Sequence, residues 1–256
     1  MTIPASSSYR AVAAAIREGI AAGRYPRGAE LPSQEELAAE YGVDQSTISK
    51  AIRVLTAEGK LANPGRGKRA IVTALAQPIR RNPSIRYSRA ARERHGAVGA
   101  YDAEIRALGM EPRVDLSIDR VQPPARAAEL LGVDAEGPST IVRARVMWAD
   151  ETLTQLADSY VSAELFGGTV LEQVDEGQGG MISRMAELGH AQVRITESVT
   201  GRPPTPVEAK GLGISVEQNI FVIEHVGWTE DGRAVEVTIH KMPQHLWVLE
   251  TEFPID

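Results

Sequence analysis

The sequence predicts an α+β protein in which an N-terminal winged helix-turn-helix precedes a domain built on a mostly antiparallel sheet. Three observations predict this fold class. Two short helical patterns joined by a glycine turn lie between residues 31 and 61, and a hairpin rich in glycine and basic residues follows them. After residue 95, six segments alternate apolar and polar residues with the period of β-strands. A chain of 256 residues has room for two such domains.

The helix-turn-helix is indicated by its capping residues. Ser33 followed by Glu36 forms a capping box, so we expect a helix to begin at Ser33. Gly42 interrupts the apolar pattern, and Asp44 is a suitable N-cap for a second helix that ends at Gly59. In this motif the N-terminal residues of the second helix enter the DNA major groove.

The segment 61–72 predicts a wing, a hairpin whose tip is residues 63–67. Its basic side chains can reach phosphate groups. The candidate DNA interface combines both motifs and consists of Ser33, Gln34, Asp44, Gln45, Ser46, Thr47, Ser49, Lys50, Arg53, Gly65, Arg66, Gly67 and Lys68. Among these, Gln45 can read adenine through two hydrogen bonds. A winged helix that contacts protein or RNA is the alternative.

Residues 9–72 resemble the DNA-binding domain of the GntR family of bacterial transcription factors. The residues that carry the resemblance include Gly23-Arg24-Tyr25, Leu31-Pro32-Ser33, Glu36-Leu37-Ala38, Tyr41-Gly42-Val43, Thr47-Ile48, Ala51-Ile52, Glu58-Gly59, Gly65 and Gly67. The family usually has arginine at the positions of Gln45 and Ser49, where arginine typically reads guanine. The resemblance implies a DNA-binding head, and these two departures indicate an operator other than the usual one.

Charge is distributed unevenly along the chain, whose net charge is −6. Residues 1–76 contain 10 Lys/Arg and 7 Asp/Glu, residues 77–94 contain 6 and 1, and residues 95–256 contain 12 and 26. A basic N-terminal part on an acidic body indicates a polyanionic partner for the first part only. Solvated charged faces are the alternative, but they account less well for a change of sign at one boundary.

The sequence excludes several classes of site. It has no cysteine, so disulfides and thiolate metal sites are absent, as is typical of a reducing compartment. The N-terminal residues lack the apolar core of a signal peptide, and no apolar run has the length of a membrane span. HExxH, P-loop and Ser-His-Asp motifs are also missing. We therefore expect a cytoplasmic protein with no cofactor, no metal and no membrane partner.

We expect three parts: the winged helix-turn-helix over 1–76, a basic linker over 77–94 and a second domain over 95–256. Two prolines, few apolar residues and six arginines argue against a packed element in the linker. Its arginines can lie along DNA or meet the acidic body, and both uses remain open.

The second domain is predicted to contain six strands and four short helices. The strands are 114–121, 140–148, 153–161, 193–200, 220–228 and 233–241, and the helices are 98–108, 124–131, 180–188 and 206–211. The pattern repeats, because Pro123-Pro124, Leu131-Gly132-Val133 and Trp148 recur about 80 residues later as Pro203-Pro204, Leu212-Gly213-Ile214 and Trp228. A duplicated unit predicts a sheet with pseudo-twofold symmetry.

This domain resembles the UTRA effector-binding domain of the HutC subgroup of GntR regulators. The matching residues are Leu131-Gly132-Val133, Arg143, Arg145, Tyr160, Leu212-Gly213-Ile214, Asp231-Gly232 and Glu236. The resemblance implies a chorismate-lyase-like fold that binds a small ligand without catalysis.

The predicted strand 140–148 carries two arginines on an apolar face. Val142, Ala144, Val146 and Trp148 form one face, which we expect to be core, whereas Arg143 and Arg145 lie on the other. A buried guanidinium needs a partner, and arginine binds carboxylate or phosphate through parallel hydrogen bonds. An effector site is one explanation. A fixed ion pair of either arginine with Glu236 or Glu224 is the other.

The remaining candidate effector-binding residues are Tyr160, Gly180, Glu236, Thr238 and His240. The three on the last strand alternate with apolar residues and would point into one cavity, where the resemblance implies that Glu236 binds hydroxyl or amine groups. Gly180 begins a helix whose free amides attract anions. Tyr160 is expected beside the ligand, and His240 can instead be an ordinary buried histidine.

We expect a homodimeric, ligand-responsive transcriptional regulator, a repressor by the family's commoner case. Its two heads would read a pseudo-palindromic double-stranded DNA operator and leave it when a small anionic or polar metabolite binds. The alternative from another class is a lyase-like enzyme in which Arg143 and Arg145 hold a carboxylate substrate and Glu236 acts as acid or base. A plasmid or chromosome maintenance repressor that needs no effector is the third.

Overall fold

A computed structural model of the chain describes residues 8–62, 68–73, 75, 77–88, 99–174 and 180–253. The chain forms two compact units. The first comprises Met1–Pro78, Arg202–Ile220 and Pro243–Leu246, and the second comprises Ile79–Gly201, Phe221–Met242 and Trp247–Asp256. Two segments that the sequence places in the second domain, 202–220 and 243–246, therefore group with the N-terminal residues.

The N-terminal part of the first unit contains three helices and a short hairpin. These are α1 (Tyr9–Ala21), α2 (Gln34–Tyr41), α3 (Gln45–Ala57), β1 (Leu61–Ala62) and β2 (Ile71–Val72). The two strands pair antiparallel, with Leu61 opposite Val72. The predicted helix-turn-helix and hairpin are confirmed. The tip of the wing, with Gly65, Arg66 and Gly67, lies outside the described residues.

Capping interactions set the ends of α2 and α3. The Ser33 hydroxyl accepts a hydrogen bond from the Glu36 amide at 3.2 Å, and the Glu36 carboxylate accepts one from the Ser33 amide at 2.6 Å. Gly42 then ends α2 with a left-handed φ of 64°, a conformation that glycine adopts without steric cost. Asp44 caps α3 as predicted, because its Oδ1 accepts from the Thr47 amide at 2.8 Å.

The apolar faces of these helices meet in one core. Its fully buried members include Val12, Ile16, Leu31, Leu37, Ile48, Leu55 and Leu61. Burial of these side chains holds the exposed surface of α3 in a fixed orientation.

Most of the second unit is a six-stranded sheet. Its strands are β4 (Pro112–Val121), β5 (Thr140–Ala149), β6 (Thr152–Ser162), β7 (Arg194–Arg202), β8 (Ile220–Trp228) and β9 (Ala234–Pro243), in the spatial order β4-β5-β6-β9-β8-β7. The β4–β5, β5–β6 and β6–β9 pairs are antiparallel. The helices after residue 95 are α5 (Ala100–Arg106), α6 (Ala125–Leu131), α7 (Ala163–Phe166), α8 (Gly180–Glu187) and α9 (Pro206–Leu212). All six predicted strands and all four predicted helices are present, and the fold class is confirmed.

The sheet order is that expected of a duplicated unit, since β4-β5-β6 and β7-β8-β9 are arranged symmetrically about the β6–β9 pair. Local geometry repeats as well. Gly132 and Gly213 end their helices with φ values of 65° and 64°. The guanidinium of Arg113 lies 4.5 Å from the ring centre of Trp148, and that of Arg194 lies 4.7 Å from the ring centre of Trp228.

The expectation that residues 77–94 hold no packed element is wrong for residues 79–86. β3 (Ile79–Arg81) pairs in parallel with β10 (Trp247–Leu249), and α4 (Pro83–Arg86) follows it. The side chains of Ile79 and Arg81 are buried. Two of its arginines meet the acidic body, one of the two uses left open above, since Arg81 and Arg86 form ion pairs with Glu197 and Glu104. These pairs allow the segment to pack.

No helix within the described ranges combines the length and the apolar composition that crossing a bilayer requires.

Candidate DNA interface and effector site

The exposed side of α3 has the composition of a surface that binds a polyanion. Gln45, Ser46, Lys50 and Arg53 are exposed, and Ser49 is half-buried between them. Because residues three and four apart lie on the same side of a helix, these side chains form one stripe. The helix Gln45–Ala57 contains no acidic residue. Donors for phosphate oxygens and base edges are therefore available along the stripe.

Asp44 and Thr47 serve first to build this surface. The backbone amide of Thr47 donates to Oδ1 of Asp44, and the Thr47 hydroxyl donates to Oδ2 at 3.1 Å. Hydrogen bonds from the Ser46 side chain and from Thr47 lower the pKa of Asp44 to about 2. Asp44 is thus a cap that holds the first turn of α3, and its place in the DNA interface stays a prediction.

Other predicted contact residues surround the stripe. Gln34, at the start of α2, and Lys68, after the wing tip, are exposed, whereas Ser33 is occupied by its capping box. Arg53 lies 3.8 Å from the carboxylate of Glu217, and both side chains are largely exposed. An exposed pair at this distance is weak and leaves Arg53 able to contact phosphate.

The arginine-bearing face of β5 is the more buried of its two faces. Arg143 and the flanking Ile141 and Met147 are buried, whereas Ala144 and Val146 on the other face are only partly buried. Our expectation of a core on the Val142–Trp148 face holds at Val142, which is buried beside Tyr160 and Val237, but the arginine face carries a core as well. The arginine face is covered by α7, α8 and a 3-10 turn at Val170–Glu172, whose apolar side chains Phe166, Leu171, Met181 and Met185 pack against Ile141 and Val161.

A line of hydrogen bonds connects the predicted residues across this face. Arg145 donates to the hydroxyl of Ser159, which lies 2.5 Å from the hydroxyl of Thr238. Thr238 in turn donates to Oε1 of Glu236 at 2.7 Å. Gln192 donates to the other carboxylate oxygen of Glu236 at 2.8 Å. The structure thus brings together Arg145, Thr238 and Glu236, which lie up to 93 residues apart in the chain.

Arg143 lies beside this line but has different partners. Its Nη1 donates to the backbone carbonyls of Leu171 at 2.9 Å and Gln173 at 2.7 Å. Strand pairing places it opposite Ser159 on the same face. The predicted ion pair with Glu236 or Glu224 does not occur among the described residues. Glu224 lies instead 3.6 Å from Arg126.

Three buried polar atoms on or against this face lack a hydrogen-bond partner within the described part of the chain. They are Nδ1 of His240 and the amide oxygens of Gln155 and Gln192. Gln155 belongs to the arginine face because it pairs with Met147 across the strands, and His240 belongs to it because it pairs with Ala157, the neighbour of Arg145. Burial, followed by the charge of Arg81, lowers the pKa of His240 well below its usual value, so this imidazole is neutral at pH 7.

A second buried cluster adjoins the first. The Arg81 guanidinium binds both carboxylate oxygens of Glu197, and Nδ1 of His225 lies 3.0 Å from Oε1 of the same carboxylate. The His225 ring contacts the ring of His240 edge to face, with centres 6.3 Å apart. Burial raises the pKa of Glu197, but hydrogen bonds from Arg81 and His225 outweigh burial and lower the pKa to about 2.

Tyr160, a predicted effector-binding residue, does not share the arginine face. It pairs with Val142 and Val237 and therefore lies on the opposite face, where it packs with Ala127, Leu131 and Val226. The alternation along β6 places it one residue out of phase with Ser159. Its role beside a ligand stays a prediction. Gly180 is the first residue of α8, and residues 175–179 before it lie outside the described residues.

Comparison with known proteins accounts for both units. Residues 84–245 match the UTRA domain, and residues 8–69 match the bacterial regulatory proteins of the gntR family. The chain belongs to the GntR-family regulators that carry a UTRA domain. Such proteins bind DNA through the helix-turn-helix and a small-molecule effector through the UTRA domain, and this chain is a transcriptional regulator of that kind.

Individual relatives cover most of the chain. The HTH-type transcriptional regulator Rv0792c of Mycobacterium tuberculosis is 25% identical over 95% of this chain and 84% of its own length. The HTH-type transcriptional repressor PhnF of Mycolicibacterium smegmatis is 24% identical over 82% and 78%. The crystal structure of a putative GntR-family transcriptional regulator has a TM-score of 0.59, with 23% identity over 98% of this chain and 99% of that one. The crystal structure of PhnF has a TM-score of 0.57, with 20% identity over 96% and 100%, so the fold is shared.

For this GntR-family regulator, sequence reasoning missed Arg81, Gln155, Gln192, Glu197 and His225. Each is polar, and the tertiary fold brings it to the arginine face or to the cluster beside it. The available signal was the glycine at position 227. A Cβ there would lie 2.4 Å from the Gln192 side chain, so β8 makes room for this residue. The described residues contain no group of three or more His, Cys, Asp or Glu side chains that could hold a metal ion.

Proposed function

We propose that this regulator is a homodimeric repressor. The two heads of the dimer bind a pseudo-palindromic operator, and a small anionic or polar metabolite on the arginine face of the sheet releases it. The name of the PhnF relative as a repressor supports the direction of control. The division into a DNA-binding part at 1–76, a connecting segment at 77–94 and an effector-binding and dimerisation part at 95–256 belongs to the same proposal. A protein that acts on bacterial DNA works in the cytoplasm.

The observation that carries the effector site is the concentration of buried polar groups on one face. Arg143 and Arg145 supply positive charge, and Glu236 accepts hydrogen bonds at both carboxylate oxygens. Around them lie the partnerless atoms of His240, Gln155 and Gln192. Native interiors contain few buried polar atoms without a partner, so a bound polar molecule is the natural complement of this surface. Guanidinium groups suit carboxylate or phosphate, and the amide oxygens suit hydroxyl or amine donors.

The same geometry favours binding over catalysis. A general acid or base must reach the proton that it transfers. Both oxygens of Glu236 are already engaged by neutral side-chain donors, and His240 faces His225 rather than a nucleophile. We therefore infer that the arginine face recognises its ligand and leaves it unchanged.

The proposed DNA contacts divide by chemistry. Lys50, Arg53 and Lys68, together with Arg66 on the wing, contact phosphates, and Gln45 reads a base from the first turn of α3. Substituting Gln45→Ala changes the base preference of the selected operator at one position per half-site, whereas Glu18→Ala, at an exposed residue of α1 outside the candidate interface, leaves that preference unchanged. An unaltered preference in Gln45→Ala would contradict the base-reading role.

The test of the whole proposal is a fluorescence anisotropy titration of the full chain on its own upstream DNA, with and without a low-mass metabolite fraction. The parent protein binds specifically and is released by the fraction. Arg145→Gln keeps its affinity for DNA but loses the release, whereas the control Arg106→Gln, at an exposed arginine, keeps both. Release that is equal in Arg145→Gln and the parent would place the effector elsewhere. A dimer measured by light scattering is the accompanying expectation.

A further inference from the structure

β3 is the first element of the second unit and follows Pro78, the last residue of the N-terminal segment of the first unit. Any change in the position of this strand therefore acts on the chain that leads to the DNA-binding head. Three pairs hold β3 to β10, from Ile79 opposite Trp247 to Arg81 opposite Leu249. A three-residue strand has few hydrogen bonds of its own, so side-chain contacts decide whether it stays in place.

The main side-chain contact of β3 is buried and charged. The side chain of Arg81 is 1% exposed and that of Glu197 is 11% exposed. The guanidinium donates to Oε2 of Glu197 at 2.7 Å, to Oε1 of the same residue, and to the hydroxyl of Tyr87 at 2.9 Å. A buried charge pair tolerates displacement poorly, because each charge loses its oppositely charged partner when the other moves away.

The pair is connected to the effector site through two histidines. Oε1 of Glu197, which binds Arg81, is also 3.0 Å from Nδ1 of His225. His225 packs against Tyr87 on one side, with ring centres 4.8 Å apart, and against His240 on the other. His240 lies on the arginine face with a partnerless Nδ1. A molecule bound on the arginine face thus contacts a series of packed side chains that ends at Arg81.

We propose that the Arg81–Glu197 pair is the contact through which occupancy of the effector site changes the position of β3 and hence the affinity of the heads for DNA. The inference rests on the proposed function, since it requires an effector on the arginine face. A ligand that shifts His240 shifts His225, which shares the Glu197 carboxylate with Arg81. The pair then weakens, and β3 is released from β10. Arg80, whose exposed side chain pairs with Glu250, lies on the same strand but outside this series of contacts.

Because the chain contains no cysteine, a label on one introduced cysteine can occupy the proposed effector site without knowledge of the effector. A single cysteine introduced by Gln192→Cys is labelled with 2-sulfonatoethyl methanethiosulfonate, which places one negative charge beside Glu236. Labelling is verified by mass spectrometry. The affinity of the full chain for its upstream DNA is compared before and after labelling, in the parent, Arg81→Lys, Glu197→Gln and Arg80→Lys backgrounds. Glu136→Cys, at an exposed loop residue, carries the same label as a control.

Labelling at position 192 is expected to lower DNA affinity between 5- and 150-fold in the parent and in Arg80→Lys, the range typical of coupled sites. In Arg81→Lys and Glu197→Gln the effect of labelling on affinity should fall below about 3-fold, a coupling free energy of roughly 0.7 kcal/mol by the same relation. Hydrogen exchange of the amides of residues 79–81 should accelerate on labelling in the parent and in Arg80→Lys, but not in Arg81→Lys or Glu197→Gln. If Arg81 and Glu197 act in folding alone, the variants Arg81→Lys and Glu197→Gln should show the same effect of labelling on affinity and on exchange as the parent.

Two results would overturn the proposal, and they are distinguishable. If Arg81→Lys and Glu197→Gln, folded by circular dichroism, keep the full effect of labelling, the effector site stands and the coupling runs elsewhere. If labelling at position 192 has no more effect than labelling at position 136 in the parent, the arginine face is not the effector site and both proposals fall.

Discussion

The substitution Glu197→Gln tests the energetic role of the buried Arg81–Glu197 pair beside the arginine face. Hydrogen bonds from Arg81 and His225 lower the pKa of Glu197 from 4.5 to about 2 in the folded protein. A difference of about 2.5 pKa units corresponds to roughly 3 kcal/mol of folding free energy at neutral pH. With a carboxyl side chain that is 11% exposed, solvent screening removes little of this contribution.

The pH dependence has a definite sign. The pKa of Glu197 is lower in the folded than in the unfolded state, so its contribution to stability is present above pH 4.5 and is lost as the pH falls toward 2. At pH 7 the Glu197→Gln variant should be less stable than the parent by about 3 kcal/mol. This difference should shrink steadily between pH 5 and pH 2.5, because the parent loses the ionised carboxylate that the variant never had.

The chain offers a convenient probe for this measurement. Its three tryptophans, Trp148, Trp228 and Trp247, all lie in the second unit, so urea unfolding followed by tryptophan fluorescence reports on that unit alone. Glu129→Gln is the control, because its pair with Arg126 is exposed and should be worth less than about 1 kcal/mol at every pH. A stability difference between Glu197→Gln and the parent that stays constant from pH 7 to pH 2.5 would refute the argument.

Three further predictions concern the first unit. In Gly59→Ala, the new Cβ would lie 2.0 Å from Cγ of His245, and the residue has a φ of 69°. The variant should therefore be less stable by the roughly 1–2 kcal/mol that the left-handed conformation costs, and by a further amount from the clash. Adding His245→Ala to this variant should restore only the part of the stability that the clash removed, as measured by thermal unfolding. A double variant that recovers no stability would contradict this packing. Ser33→Ala should lower stability by about 1 kcal/mol through loss of the capping box, seen as a lower thermal midpoint by circular dichroism. Lys50→Ala should reduce the slope of log affinity against log salt by about 1, and an unchanged slope would mean that Lys50 does not reach a phosphate.

The limits of sequence reasoning are clearest at β5. Alternation correctly separated Arg143 and Arg145 from Val142 and Val146, but it did not predict that the arginine face carries a core as well. Alternation states which residues share a face and says nothing about what covers that face. Here α7, α8 and the Val170–Glu172 turn cover the arginines, and these elements follow β5 by 13 residues or more. The face on which Tyr160 lies was not predicted for a related reason, because it depends on the register of β6 against β5.

The sequence by itself determined the helix-turn-helix, the hairpin and all six strands. It also placed Arg145 on the same face of its strand as Arg143, and Thr238 on the same face as Glu236. Caps, turns and periodicity suffice for this because they act over a few neighbouring residues. Only the tertiary structure decided the role of Arg81. In sequence it is one of six arginines in a segment that resembles a solvated linker. In the fold it is buried against Glu197, 116 residues away, and such a pairing depends on long-range sheet topology that no local pattern encodes.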